Sequence, residues 1–117
     1  MAAGPIISSR FPYLPVHLQF GQNEADVEAL LDTGFDGDVV IPTSLMEDID
    51  PDGHISWRLA DGTQVTAPYY RGNVSVGGMG PLRVVITALG DEVLIGCGVA
   101  ANFTITLDHG RELTVAP

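Results

Sequence analysis

Fourteen glycines and eight prolines punctuate a chain of 117 residues, so its backbone order has to be built from short segments. Most of those segments are rich in Val, Ile, Thr, Leu and Tyr and alternate in part between apolar and polar residues, as strands do when one face meets a core. A mostly-β domain is expected. A chain of this length can bury one hydrophobic core and is too short to divide into two. Any two-lobed enzyme made from it must therefore be assembled from two chains.

With 45% hydrophobic and 17% charged residues, the composition is that of a packed globular protein. Fifteen acidic against five basic residues give a formal charge of −10, which repels nucleic-acid phosphate and anionic membranes and argues against both as partners. No apolar run approaches the roughly 20 residues that span a bilayer. Residues 1–10 lack the basic and sustained apolar stretches of a secretion signal. Cys97 is the single cysteine and has no internal partner, which suggests a reducing, cytoplasmic setting.

Residues 1–12 read as an N-terminal arm and 13–117 as one domain. Val16 to Phe20 alternates, Gly21-Gln22-Asn23 supplies turn residues, and Asp26 to Leu31 returns as a second strand that delivers Asp32. After a loop, Val39-Val40-Ile41 ends at Pro42, and Thr43 is placed to cap a short helix through Leu45, Met46 and Glu47. His54 to Ala60 and Thr63 to Tyr70 read as a hairpin on a two-residue Asp61-Gly62 loop. Val74 to Val76 and Leu82 to Leu89 form another pair around Gly77-Gly78-Met79-Gly80. Glu92 to Ile95 is a short strand stopped at Gly96, Val99 to Asn102 is compatible with a turn or two of helix, and a terminal hairpin turns at Asp108-His109-Gly110.

The chemistry is concentrated in Ala29-Leu30-Leu31-Asp32-Thr33-Gly34 and the apolar run that follows it. Taken alone, Asp-Thr-Gly is also an ordinary turn, since Asp and Gly are favoured there. Near the C-terminus stands a second apolar segment ending in glycine, Val93-Leu94-Ile95-Gly96. These motifs, and the order hairpin, Asp-Thr-Gly, apolar strand, Asp-Gly hairpin, apolar-Gly segment, short helix and terminal hairpin, resemble a retropepsin-like aspartic protease subunit over residues 13–115.

That resemblance implies a closed β-barrel with one or two short helices and an aspartic endopeptidase that uses no cofactor or metal. Because only one Asp-Thr-Gly is present, it also implies a homodimer in which Asp32 meets its own copy on a twofold axis to hydrolyse a peptide substrate. Thr33 would tie the two catalytic loops together and Gly34 would let substrate approach. As residues, the two also fit as a strand residue and a left-handed turn residue. Substrate contacts would come from Phe35, Asp36 and a flap of Leu59, Ala60, Asp61, Gly62 and Thr63, a segment that equally reads as a surface hairpin.

Two departures from the family pattern bear on activity. Phe35 stands where the family usually has Ala or Ser, and Cys97 stands where an arginine usually pairs with the acid at position 36. Phe35 either narrows a pocket or points into packing. A catalytically silent dimerisation or peptide-binding module of the same fold is the rival reading. Trp57, the only tryptophan, either lines the cleft or sits in the core, and the core is expected. Asp48 to Ile55 matches half a calcium loop but has Leu59 where a bidentate Glu is required, so a solvated acidic turn is expected. His17, His54 and His109 lack the spacing of a zinc site, and Cys97 reads as a small buried hydrophobe and not a nucleophile.

Overall fold

The strands of this computed structural model, which describes residues 6–7 and 10–117, wrap into a barrel whose closure can be read from strand pairing. β2 (Tyr13–Phe20) and β3 (Asn23–Leu31) form the first hairpin, turned by Gly21 at φ 58°. There follow β4 (Val39–Ile41), a 3-10 turn over Thr43–Leu45, β5 (Gly53–Arg58), β6 (Gln64–Val76) and β7 (Met79–Ala88). The chain ends with β8 (Leu94–Ile95), helix α1 (Cys97–Ala100), β9 (Thr104–Asp108) and β10 (Glu112–Ala116). The sheet runs β2-β3-β8-β4-β7-β6-β5, and a further pairing of β2 with β6 closes the ring, leaving β5 as an appendage of β6. The result is a mostly-β, closed six-strand mixed barrel.

A second, three-stranded sheet joins β10 to β9 on one side and to β1 (Ile6–Ile7) on the other. Residues 1–5 and 8–9, on which the expected arm and the reading of the N-terminus largely fall, lie outside the described residues.

Alternation decides what faces the barrel interior. In β2, Leu14, Val16, Leu18 and Phe20 are buried while Pro15 and Gln19 are exposed. β4 is buried at all three positions because it is flanked by β8 and β7 within the ring. Leu18, Ile41, Ile86 and Ile95 are wholly buried, each stabilising the fold by about 1.5–3 kcal/mol through removal of apolar surface from water.

Four local expectations are corrected. The segments read as separate strands ending at Tyr70 and starting at Val74 are one strand, β6. Gly72 marks a close crossing and not a break: a β-carbon there would lie 2.2 Å from the carbonyl oxygen of Gln19 on β2. The β5–β6 hairpin does not turn on two residues. Its last paired residues are Arg58 and Gln64, and the Leu59 amide donates to Thr63 O at 2.7 Å around Ala60-Asp61-Gly62, with Gly62 at φ 88°. Thr43 is not the cap; it is the first residue of a 3-10 turn whose N-cap is Pro42. The helix expected over Val99 to Asn102 begins two residues earlier, at Cys97, because Gly96 already accepts its first amides. Among the described residues no helix is long and apolar enough to cross a membrane.

Candidate active site

Asp32 is the first residue past the end of β3, and the backbone around it is held from the C-terminal side of the chain. β3 pairs in parallel with β8, Leu30 opposite Leu94 and Leu31 opposite Ile95, so the apolar-Gly segment runs beside the catalytic-type loop. The Asp32 amide donates to Ile95 O at 2.9 Å, and the Gly96, Cys97 and Gly98 amides donate to the carbonyls of Asp38, Phe35 and Gly37 at 2.9, 2.8 and 3.0 Å. Loop 32–38 is thus stapled by consecutive backbone groups of 95–98. The Cys97 thiol adds a bond of 3.2 Å to Thr33 O. The thiol thus adds a side-chain bond to a loop that the Cys97 amide already holds.

Gly96 is dictated by contact. A β-carbon at that position would lie 2.3 Å from Gly37 O and 2.7 Å from Phe35 O, distances that only displacement of the loop could relieve.

The Asp32 carboxyl group is half-buried, and its Oδ1 accepts the Gly34 amide at 3.0 Å while the Phe35 amide closes a turn onto Asp32 O at 3.2 Å. This places the side chain over its own loop, directed by the tripeptide itself. Asp38, an ordinary loop residue by sequence, is the outer brace: its Oδ2 accepts the Val85 amide of β7 at 2.9 Å. A β-carbon at residue 98 would lie 1.9 Å from the other oxygen of that carboxylate. Its position just before the buried run of β4 is the one available sequence signal.

Asp32 opens onto a cleft of about 450 Å³. Phe35 lies across Gly37 and Gly96, where a β-carbon would approach its ring to 2.4 and 2.5 Å. It therefore both packs on the loop and lines the cleft. Trp57 meets it edge-on, ring centroids 5.0 Å apart at 61°. This corrects the expectation that Trp57 sits in the core: it is half-buried on β5 in the cleft wall, and its buried indole N–H has no hydrogen-bond partner among the described residues. Its one-in-two position on β5, facing the cleft between exposed neighbours, is a period-2 signal equally compatible with core.

Of the expected substrate contacts, Phe35, Leu59 and Ala60 line the cleft, whereas Asp36, Asp61, Gly62 and Thr63 do not; of the two expected loop-support residues, Gly34 lines it and Thr33 does not. Asp36 is exposed and makes no ion pair among the described residues. Asp61 is occupied with the hairpin tip, where its carboxylate accepts the Thr63 amide at 2.8 Å. That hydrogen bonding to Thr63 lowers its pKa. In the remaining wall, Val40 and Leu94 belong to the two apolar runs already singled out in the sequence, whereas Leu89 to Glu92 carried no site signal there. Glu92 accepts a hydrogen bond from the Tyr13 hydroxyl of β2, and that bond raises the phenol pKa. The acidic turn before β5 is used structurally: Asp52 Oδ2 accepts the Arg71 amide at 2.7 Å.

No family model and no curated sequence matches the chain. Its coordinates are similar to those of solved proteases. A retropepsin-like aspartic protease from Rickettsia conorii superposes with a TM-score of 0.61 at 18% identity, covering 96% of this chain and 90% of that one. The simian foamy virus (mac) protease, solved in solution, gives 0.51 at 17% identity over 74% of this chain and 91% of that one. The barrel closed by β2 and β6, with β8 laid beside the Asp32 loop, is the retropepsin-like aspartic protease fold.

Proposed function

We propose that the chain is an aspartic endopeptidase that acts as a homodimer, with Asp32 of each subunit forming a catalytic pair. The observation that carries this reading is the placement of the half-buried Asp32 carboxyl group at a 450 Å³ cleft flanked by the β5–β6 hairpin. Two carboxylates brought together on an axis share one proton, because like charges at close range disfavour double ionisation. The ionised member takes a proton from water as it attacks the scissile carbonyl carbon; the protonated member donates to the carbonyl oxygen. The tetrahedral intermediate collapses with protonation of the leaving amine, so no acyl-enzyme forms.

Thr33 and Gly34 support the paired loops, and Leu59 and Ala60 on the hairpin cover an extended peptide held by strand-like hydrogen bonds. A formal charge of −10 opposes a nucleic-acid partner, and the lone cysteine supports a reducing, cytoplasmic setting. The test is cleavage of a peptide library at acidic and neutral pH across a protein concentration series, with sedimentation in parallel. Activity should follow the dimer fraction and vanish in Asp32→Asn. Equal inertness of wild type and variant while both dimerise would instead identify a silent peptide-binding module.

A further inference from the structure

The cleft beside Asp32 has two chemically different parts. Phe35, Trp57 and Leu94 give it apolar walls, and the exposed carboxylates of Asp91 and Glu92 stand at its rim. The Glu92 carboxylate accepts from the Tyr13 hydroxyl, and the Arg10 guanidinium lies over that ring, 3.8 Å from its centroid. The one basic side chain in the lining, Arg58, reaches back along its own hairpin to Gly62 O at 3.5 Å. Three acidic residues, Asp32, Asp91 and Glu92, against that one guanidinium leave the described lining acidic in balance.

We infer that this cleft selects an arginine or lysine side chain of the substrate, its aliphatic stem against Phe35 and Trp57 and its cationic head at Asp91 and Glu92. This rests on the protease reading above and names the residue that its cleft prefers. An amphipathic side chain of that length buries its methylenes and keeps its charge at the water boundary. A wholly apolar side chain would use the walls and gain nothing from the rim. The charge of −10 on the whole chain also raises the local concentration of cationic peptides.

Short peptides carrying one arginine, each paired with a twin that has citrulline at the same place, test this, since citrulline keeps the shape and removes the charge. At low salt the wild type should favour arginine at one position by about tenfold in kcat/KM, mainly through KM, the size of one partly desolvated charge contact. In Asp91→Asn/Glu92→Gln, where the introduced side-chain amide can still accept from the Tyr13 hydroxyl, the ratio should fall towards one. Added salt should compress it in the wild type. Equal cleavage of the two peptides, or an arginine preference that survives the double substitution, overturns the inference. Binding is read separately in Asp32→Asn from the emission of Trp57, the only tryptophan. Charge-dependent binding without hydrolysis by wild type would sink the protease reading and leave the cleft assignment standing; hydrolysis without charge preference would do the reverse.

Discussion

Phe35 and Trp57 meet edge-on with ring centroids 5.0 Å apart, joining the loop that carries Asp32 to the first strand of the overlying hairpin. The contact exists because residue 37 is glycine. A β-carbon there would lie 2.4 Å from the Phe35 ring and 2.8 Å from that of Trp57. Gly37→Ala is expected to push both rings out of the cleft wall, costing about 1–3 kcal/mol and red-shifting tryptophan emission. An unchanged spectrum and urea midpoint would contradict this placement of the pair.

Gly96→Ala should be far more damaging than Gly34→Ala. At residue 96 the obstructing atoms are backbone oxygens at 2.3 and 2.7 Å, whereas at residue 34 the nearest atom is Asp32 Oδ1, a side-chain oxygen, at 3.3 Å. The first substitution should cost more than about 3 kcal/mol and the second less than about 1 kcal/mol. Urea unfolding followed by far-ultraviolet circular dichroism measures both, and similar costs at the two positions would contradict the backbone-staple account.

The hydroxyl of Thr87, on β7 between β4 and β6, is buried and has no hydrogen-bond partner among the described residues. Replacing it with a methyl group removes an unsatisfied polar atom at nearly constant shape, so Thr87→Val should stabilise the protein by about 1 kcal/mol and raise Tm by about 4 °C. Thr87→Ser keeps the hydroxyl and loses the methyl, and should destabilise. Calorimetry of the two variants tests the sign.

His17 on β2 lies between Asp26, 2.8 Å from Nδ1, and Glu24, 2.9 Å from Nε2. Hydrogen bonds to Asp26 and then Glu24 raise its pKa above the ordinary 6.5. With the folded value above the unfolded one, the stabilisation is fully present below pH 6.5 and is lost as pH rises through the raised value. The Tm difference between wild type and His17→Gln should therefore be larger at about pH 5.5 than at about pH 9. A difference independent of pH would show that the carboxylates do not act through the imidazolium.

Much of the fold was legible because it rests on local rules. The β2–β3 hairpin, the Asp32 position, the apolar β4 and the terminal β9–β10 hairpin all follow from period-2 alternation and turn residues. The interruption expected between Tyr70 and Val74 was not real, since a glycine that breaks a strand and one that admits a crossing strand look the same in sequence. Trp57 was misplaced for a similar reason: alternation states which residues share a face of β5, but not whether that face meets core or cleft.

What the sequence by itself determined is a one-core, mostly-β chain with a single Asp-Thr-Gly at a strand end and a second apolar-glycine segment far along the chain. These depend on residue-by-residue propensity and spacing. Only the tertiary structure decided that Gly96 must lack a side chain, that Asp38 braces the loop against β7, and that Asp91 and Glu92 line one cleft with Phe35 and Trp57. Those relationships are approaches between segments distant in sequence, fixed by barrel closure and excluded volume, and no local period encodes them.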